Sequence, residues 1–171
     1  MAECVAVRLL TAADASAYRE VRLSALQMDP LAFITTAEEF GARPLAEIAA
    51  RLDPTPEVAN FGAFQHGALV GLLTVARETR PRLSHRANVF GVSVLPAARG
   101  QGCGDALLRA GIGHARAWPG VTSLHLGVME TQHTARRLYE RHGFQLWGTQ
   151  PDAVQNAEGG HLAEHHLALL L

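Results

Sequence analysis

The chain has 171 residues, a formal charge of −1 at pH 7 and a hydrophobic content of 48%. This length suits one domain with a continuous core, and this hydrophobic content excludes a disordered chain. A nucleic-acid-binding protein is not expected, because such proteins usually carry a basic excess. The longest apolar run, residues 167–171, is too short to cross a bilayer, so no membrane partner is expected.

The two cysteines, Cys4 and Cys103, lie far apart in the sequence and cannot form a disulfide framework. The first ten residues, MAECVAVRLL, do not show a charged leader followed by a long apolar run. A secretory signal is therefore not expected. These features predict a soluble protein of the reducing cytoplasm.

The first 57 residues predict one strand and two helices. Branched side chains favour the strand, and Thr11 and Asp14 are typical of a helix start. Pro30 ends the first helix, and Pro44 suits the first turn of the second. The predicted elements are a strand over 5–10, a helix to about Met28, an irregular connection over 31–42 and a helix over 44–52.

From residue 58 onward the pattern predicts mainly strands. His66 and Gly67 form a two-residue hairpin turn, and Gly143 occupies the position of a glycine that ends a helix. The last segment, 161–171, fits a helix or a strand by pattern alone. The other predicted elements are strands over 58–65, 68–78, 87–95, 121–129 and 144–149, helices over 105–118 and within 131–144, and polar loops over 80–86 and around Gly159 and Gly160. This order indicates an α/β layered domain with a mixed sheet.

A glycine-rich turn, ARGQGCG, separates a predicted strand from a predicted helix. Alternating glycines let backbone N–H groups approach a ligand, and the helix start adds partial positive charge. Arg99 could add a charge-assisted contact to a phosphate. The dinucleotide fingerprint needs a glycine where this chain has Asp105, and a Walker A loop needs a lysine, which this chain lacks. A turn without a ligand is the alternative, but three glycines beside an arginine and a helix favour phosphate binding.

These residues resemble a known family. Residues 99–104, RGQGCG, fit the [Q/R]-x-x-G-x-[G/A] signature of the Gcn5-related N-acetyltransferases (GNAT), and residues 135–144, ARRLYERHGF, resemble the family's A-x-x-L-Y-x-x-x-G-F helix. The resemblance covers roughly residues 5–171 and is strongest over 89–144. It implies an α/β fold in a single N-acetyltransferase domain, residues 1–171, with a mixed central sheet of about seven strands and helices on both faces.

The resemblance also implies that acetyl-coenzyme A is the co-substrate and lies where strands 88–95 and 121–129 splay apart. The first of these strands would offer backbone groups to the pantetheine arm, and the glycine-rich loop would hold the diphosphate on its amides. Gln132 stands where the family often has an asparagine that contacts the cofactor arm. The implied cofactor-binding residues are Val92, Ser93, Val94, Arg99, Gly100, Gln101, Gly102, Cys103, Gly104, Asp105 and Gln132.

The implied reaction is direct attack of a substrate amine on a thioester carbonyl. It requires orientation of the acetyl group, a donor for the developing oxyanion and two proton transfers. Tyr139 matches the family tyrosine that protonates the leaving thiolate, although its pattern alone fits a core aromatic residue. Glu130, His125 or a water chain could accept the amine proton. Glu130 also fits a solvated acid at a helix start, and His125 also fits a residue packed in a strand.

The acceptor pocket is expected from the first helices, the loop 29–43 and the last hairpin, with Phe33, Glu38 and Glu39 as contributors. A carboxylate there would attract a cationic amine, although solvation explains two adjacent glutamates equally well. Two functions remain open on the sequence. The first is an N-acetyltransferase acting on a small amine, an amino-acid derivative or a peptide N-terminus, and the second is a non-catalytic acyl-coenzyme A sensor. A homodimer is expected because relatives are often dimers.

A metal site is not expected in the histidine-rich segment HLAEHH. His161 and His165 would share a face of a strand, but strand rise would separate them by about 13 Å, too far to chelate one ion. Cys103 lies at a helix start, which can favour a reactive thiolate. The more economical interpretation is that it fills a small apolar space.

Overall fold

A computed structural model describes residues 5–171, so the prediction that concerns Cys4 lies outside the described residues. The strands are β1 (Ala6–Leu9), β2 (Val58–Gln65), β3 (Ala68–Arg77), β4 (Arg86–Val94), β5 (Ser123–Met129), β6 (Gln145–Gln155) and β7 (His161–Leu170). The helices are α1 (Ala15–Met28), α2 (Ala37–Gly41), α3 (Leu45–Leu52), α4 (Cys103–Ala117) and α5 (His133–Arg141). The seven strands form one sheet in the order β1-β2-β3-β4-β5-β7-β6.

The sheet is mixed, and helices cover both of its faces. Leu72 and Leu73 of β3 point to opposite faces because successive strand residues alternate, and each belongs to a different core cluster. Leu73 packs with the cluster that includes α4 and Tyr139 of α5, whereas Leu72 packs with the cluster of α1, α2 and α3. The predicted α/β fold, a seven-stranded mixed sheet between two helical layers, is confirmed.

One predicted loop contains a helix. Residues 31–42 were expected to be irregular, but α2 occupies Ala37–Gly41. Thr36 and Glu39 cap this helix reciprocally: the Glu39 N–H donates to Thr36 Oγ1 at 3.1 Å, and the Thr36 N–H donates to Glu39 Oε2 at 2.8 Å. The pattern Thr-x-x-Glu is a capping box that can be recognised in the sequence. The prediction of an irregular segment was wrong because it did not take this signal into account.

Two element boundaries differ from the predictions, and the structure decides the segment that was left open. Helix α4 begins at Cys103 rather than at residue 105, because Gly102 takes the capping position in a left-handed conformation. Strand β6 continues to Gln155, through part of the predicted polar loop, because β7 supplies partners for residues 150, 154 and 155. The last segment is a strand, since β7 pairs along the full length of β5.

No helix among residues 5–171 combines the length and the apolar character needed to span a membrane. The same residues contain no group of three or more His, Cys, Asp and Glu side chains placed to hold a metal ion. The histidines of β7 therefore lie along a strand without such a cluster.

Candidate active site

The sheet opens between β4 and β5. These two strands run parallel, but they pair only over residues 86–88 and 123–125, after which the pairing stops. Beyond this point each strand follows its antiparallel neighbour, β4 with β3 and β5 with β7. The resulting cleft has a volume of about 1590 Å³ and is lined by residues from both helical layers.

The free edge of β4 forms one wall of this cleft. Ser93 and Val94 pair with β3 on the other edge, and they line the cleft together with Val92. The edge that faces β5 has no strand partner there, so its N–H and C=O groups can bind an extended ligand. The hydroxyl of Ser93 is buried and has no hydrogen-bond partner.

The glycine-rich loop follows β4 at the end of the cleft. Gly100 and Gly102 have φ values of +74° and +83°, which L side chains rarely adopt, and no atom lies within 4 Å of the position that a Cβ would take at either residue. The first N–H groups of α4 have no partners within the helix. This arrangement presents bare backbone amides at a positive helix start, which is the chemistry of a phosphate site.

The side chains of Arg99 and Gln101 hold this loop in place. Arg99 Nε donates to the Val94 carbonyl at 2.9 Å, and its Nη2 lies 3.6 Å from the Asp29 carboxylate. Gln101 Nε2 donates to the Ala97 carbonyl at 2.8 Å, and Gln101 is the one residue of 99–105 that does not line the cleft. The sequence assigned both residues to the cofactor, and the structure gives Gln101 a supporting position.

Two further residues of the motif serve packing. A Cβ at Gly104 would lie 2.9 Å from Leu138 Cδ2, so glycine lets α4 approach α5 closely. Cys103 is only 2% exposed, and burial raises the pKa of its thiol. A buried thiol held in its neutral form fits an apolar filling role better than a nucleophile.

Asp105 connects the first turn of α4 to the end of α5. Its Oδ1 lies 2.9 Å from His142 Nε2, and its carboxylate lies 3.4 Å from Arg141. Burial alone would raise the pKa of Asp105, but the His142 hydrogen bond and the Arg141 charge outweigh it, and the net shift is downward. The Asp105 carboxylate is therefore ionised, and Arg141 at the end of α5 balances its charge. This balance reduces the repulsion that the carboxylate would exert on an anion bound at the predicted site beside it.

Tyr139 is the buried aromatic residue of α5 that faces the cleft. It is 6% exposed, and its ring meets Phe144 edge-on at 6.1 Å between centroids. Burial raises the pKa of its phenol, so the hydroxyl is protonated at neutral pH. No residue in 5–171 holds this hydroxyl by a hydrogen bond, which leaves its proton available to a ligand.

Gln132 lies at the start of α5 and also lines the cleft. Its Nε2 is 3.5 Å from Asp29 Oδ1, at the end of α1. Because Asp29 also pairs with Arg99, its carboxylate links the glycine-rich loop to the start of α5. The amide of Gln132 is thus placed at the cleft, as the sequence suggested.

The two predicted bases occupy different surroundings. Glu130 is exposed, does not line the cleft, and accepts the Ala163 N–H at 2.8 Å. His125 lines the cleft, with its Nε2 2.9 Å from Ser123 Oγ. Burial, and then the charges of Arg86 and His85, lower the pKa of His125, so its imidazole is neutral at pH 7. His125 still belongs to the paired part of β5, however, before the cleft opens.

Sequence reasoning missed a carboxylate at the opening itself. Glu164 of β7 lies over Gly127, two residues beyond the last paired residue of β5, and a Cβ at Gly127 would collide with its carboxylate. Its side chain is 19% exposed and lies 3.6 Å from His166 Nε2. Alternation along β7 places Glu164 and His166 on one face of the sheet. From the sequence this face could not be assigned, because residues 161–171 fitted a helix and a strand equally well.

The wall formed by α1 and the loop after it also differs from the prediction. Phe33 lines the cleft as expected, whereas Glu38 and Glu39 are exposed and lie outside it, in the first turn of α2, where Glu39 is part of the capping box. Two guanidinium groups, Arg22 and Arg43, line this wall instead. Its local charge is therefore positive where the sequence suggested carboxylates.

The chain is similar to known proteins of one family. The model of the acetyltransferase (GNAT) family matches residues 23–144. The L-amino acid N-acetyltransferase AaaT of Escherichia coli (strain K12) is 33% identical over 109 residues, which cover 63% of this chain and 67% of that protein. The mycothiol acetyltransferase of Salinispora tropica is 33% identical over 125 residues, which cover 71% of this chain and 40% of that protein.

A solved structure shows the same fold. The protein yncA of Salmonella typhimurium, solved with its cofactor acetyl-CoA, aligns with a TM-score of 0.80 and 21% identity. The alignment covers 98% of this chain and 94% of that one. The layered sheet described above is therefore common to both proteins.

Proposed function

The chain belongs to the acetyltransferase (GNAT) family and is an acyltransferase, and from this premise we propose that it moves an acetyl group from acetyl-coenzyme A to a primary amine. The acceptor is a small molecule, an amino-acid derivative or a peptide N-terminus. The supporting observation is the meeting, in one cleft, of a free strand edge, bare amides at the start of α4 and the phenol of Tyr139. No observation among residues 5–171 favours a sensor without turnover.

The residues present fit the co-substrate. Backbone groups of Val92 to Val94 pair with the pantetheine arm, and the buried hydroxyl of Ser93 is an unpaired polar group on the same strand. Amides of Gly100 to Asp105 hold the diphosphate, with the open space beside Gly102 giving access. When bound, acetyl-coenzyme A supplies an acetyl thioester that is reactive toward amines.

Tyr139 and Glu164 handle the two protons. Tyr139 donates its phenol proton to the leaving sulfur as the new C–N bond forms and the C–S bond breaks. Glu164 accepts the proton that the amine nitrogen loses, because its carboxylate lies at the point where β4 and β5 part. Solvent then returns a proton to Tyr139 and removes one from Glu164. Of the predicted bases, Glu130 lies outside the cleft and His125 lies before the opening.

A thiol-release assay over a panel of primary amines tests this proposal. Wild-type protein is expected to release coenzyme A with at least one acceptor, and Tyr139→Phe is expected to release it much more slowly. Calorimetry with coenzyme A measures binding separately. Absence of turnover together with tight cofactor binding would favour the sensor, and absence of binding would remove the proposal.

Two broader expectations remain predictions. A cytoplasmic location follows from the cysteine content of the sequence, and fractionation of cells that express the tagged chain would check it. A homodimer follows from the family resemblance alone. Sedimentation velocity on the purified protein would distinguish a dimer from a monomer.

A further inference from the structure

The most conspicuous unpaired charge on the cleft wall is Arg22 of α1. Its guanidinium lies over the ring of Phe33, with Cζ 4.4 Å from the ring centroid. Its Nη1 is buried and has no hydrogen-bond partner. Across residues 5–171, no carboxylate forms an ion pair with this side chain. A buried guanidinium nitrogen without an acceptor is rare in folded proteins and is energetically unfavourable.

The electrostatic surroundings of Arg22 are positive rather than negative. Burial lowers the pKa of its guanidinium, but arginine remains protonated in proteins at neutral pH. The charge of Arg43, which lines the same wall, acts on it in the same direction. Besides Phe33, the neighbour of Arg22 on this wall is Tyr18, one helical turn earlier. Burial raises the pKa of the Tyr18 phenol, so this hydroxyl stays protonated and able to donate. The wall therefore presents donors and positive charge to an anion.

The position of Arg22 separates this anion from the diphosphate. Nη1 lies 3.8 Å from the position that a Cβ would take at Gly91, the residue just before the Val92 to Val94 strand edge. Strand rise places Gly91 about 10 Å from Val94, and the glycine-rich loop follows only after that. An anion beside Arg22 would thus lie near the acetyl end of the co-substrate and away from its phosphates.

We propose that Arg22, assisted by the Tyr18 hydroxyl, binds the carboxylate of the acceptor, which makes the acceptor a free α-amino acid. A guanidinium presents paired N–H donors that match the two oxygens of a carboxylate. In an α-amino acid only the Cα separates the carboxylate carbon from the amine nitrogen. Holding the carboxylate at Gly91 therefore also places the amine at the opening of the cleft. Peptide N-termini lack a free carboxylate at this position. This inference rests on the proposed acetyl transfer.

The test compares each acceptor with its carboxamide. Initial rates are measured for the L-amino acids and for the matching amino-acid amides, with wild type, Arg22→Gln, Arg22→Lys and the control Arg19→Gln. Arg19 lies on the same helix but outside the cleft, where it donates to the Gly41 carbonyl at 2.9 Å. Because Nη1 of Arg22 makes no hydrogen bond, the Gln variant should fold, and circular dichroism with thermal unfolding checks this.

Wild type is expected to prefer an amino acid over its amide in kcat/KM. Arg22→Gln is expected to raise KM for the amino acid roughly 10- to 150-fold, the range for losing a hydrogen bond to a charged group, while kcat/KM for the amide stays unchanged. Arg22→Lys should recover part of the loss, and KM for acetyl-coenzyme A should not move in any variant. Arg19→Gln should behave as wild type.

Three outcomes separate this inference from the proposed function. Equal use of amino acids and amides by wild type would overturn the inference and leave the acetyltransferase proposal standing. An equal loss on both acceptors in Arg22→Gln would also overturn it, because the role would then be structural. If wild type acetylates no amine, the proposed function fails. Calorimetry of the amino acids in the presence of coenzyme A then tests the carboxylate site by itself. Binding that Arg22→Gln abolishes supports this site, and absence of binding refutes it.

Discussion

At the scale of single residues, Tyr139 combines two properties that rarely coincide. It is buried enough to hold its phenol protonated, yet it lies on the wall of an open cleft. Replacing it by Phe keeps the edge-on contact with Phe144 and removes only the hydroxyl. Tyr139→Phe is therefore expected to lower kcat roughly 100-fold or more, the usual range for a general acid, with an unchanged Kd for coenzyme A.

Steady-state thiol release and calorimetry measure these two quantities. Because burial raises the phenol pKa, the wild-type rate should show no loss from Tyr139 ionisation as pH rises from 7 to 9. A Phe variant with full kcat would show that the leaving sulfur takes its proton from another source.

The two glutamates offer a matched pair for the base. Glu164→Gln is expected to lower kcat roughly 100-fold, since the carboxylate at the cleft opening can no longer accept the amine proton. Glu130→Gln is the control, because the amide oxygen can still accept the Ala163 N–H and the side chain lies outside the cleft. Rates of both variants across pH, with the same acceptor, check this. A larger loss in Glu130→Gln would restore the base that the sequence suggested.

The position of a residue at the candidate site could be predicted where that residue belongs to a short sequence motif. The glycine-rich loop and Tyr139 belong to two short motifs, and their placement on one cleft is what those motifs imply. Glu38 and Glu39 do not line the cleft, because adjacent acids on a short capped helix carry no sequence signal for the direction in which their side chains point; their contribution to the acceptor pocket stays a prediction. Arg22 and Glu164 could not be found, since they meet the cleft through long-range packing of α1 and β7.

At the scale of elements, helix α4 has one glycine that its conformation requires, at its start, and one that it does not require, in its middle. Gly102 takes a left-handed conformation at the start of α4, whereas Gly113 lies in the exposed middle of the same helix. Gly102→Ala is expected to destabilise the protein by about 1–2 kcal/mol and to weaken coenzyme A binding at least tenfold, because relief of strain moves the amides proposed to hold the phosphates.

Gly113→Ala on the same helix is expected to change the stability of the protein in the opposite direction. No atom lies within 4 Å of its Cβ position, so alanine should stabilise the protein by about 0.5–1 kcal/mol without changing coenzyme A affinity. Urea unfolding and calorimetry on both variants make the comparison. If Gly102→Ala binds coenzyme A as wild type does, the amides of this loop do not hold the phosphates.

Elements whose ends are marked by short-range signals were predictable, and those that depend on a partner were not. The capping box of Thr36 and Glu39 could have revealed α2 from sequence. In contrast, residues 161–171 become a strand because β5 and β6 supply hydrogen-bond partners on both sides. Strand β6 continues past Pro151 for the same reason, with the ladder interrupted near this proline.

At the scale of the whole molecule, the cleft results from a competition among strand pairings. Strand β5 pairs with β7 over its full length and β4 pairs with β3 over most of its length, but β4 and β5 share only three residue pairs. Because the sheet is twisted, β4 stays aligned with β3 and β5 stays aligned with β7. The parallel pairing between β4 and β5 therefore ends after three residue pairs. One helical layer then supplies Tyr139 and the glycine-rich loop, and the opposite layer supplies Arg22.

This division explains why sequence motifs revealed only half of the site. The proposed cofactor half comes from the contiguous stretch 89–144, whereas the proposed acceptor half assembles from α1, the loop after it and β7. Segments that meet only in the folded state carry no fixed spacing. Their assignment required the strand register, in particular the pairing of Gly127 with His166.

The acid stability of the whole fold depends in part on one ion pair between β1 and the start of α1. Arg8 binds Asp14 with two hydrogen bonds of 2.9 and 2.8 Å, and these bonds, the largest cause, lower the pKa of Asp14 to about 2. The folded-state value lies below the unfolded value of about 3.9, so the unfolded chain binds more protons between them. The contribution to stability is therefore complete above about pH 4 and is lost as pH falls toward 2.

Asp14→Asn is expected to lower the free energy of unfolding by about 1 kcal/mol at pH 7, a value reduced for screening because Arg8 is 52% exposed. The difference from wild type should shrink steadily below pH 4, since protonation removes the same charge from the wild-type protein. Urea unfolding at pH 7, 4, 3 and 2.5 measures it, with Glu20→Gln as an exposed acidic control on α1 whose effect should stay near zero at every pH. A difference for Asp14→Asn that stays constant down to pH 2.5 would mean that the contact between β1 and α1 depends on packing and capping rather than on this charge.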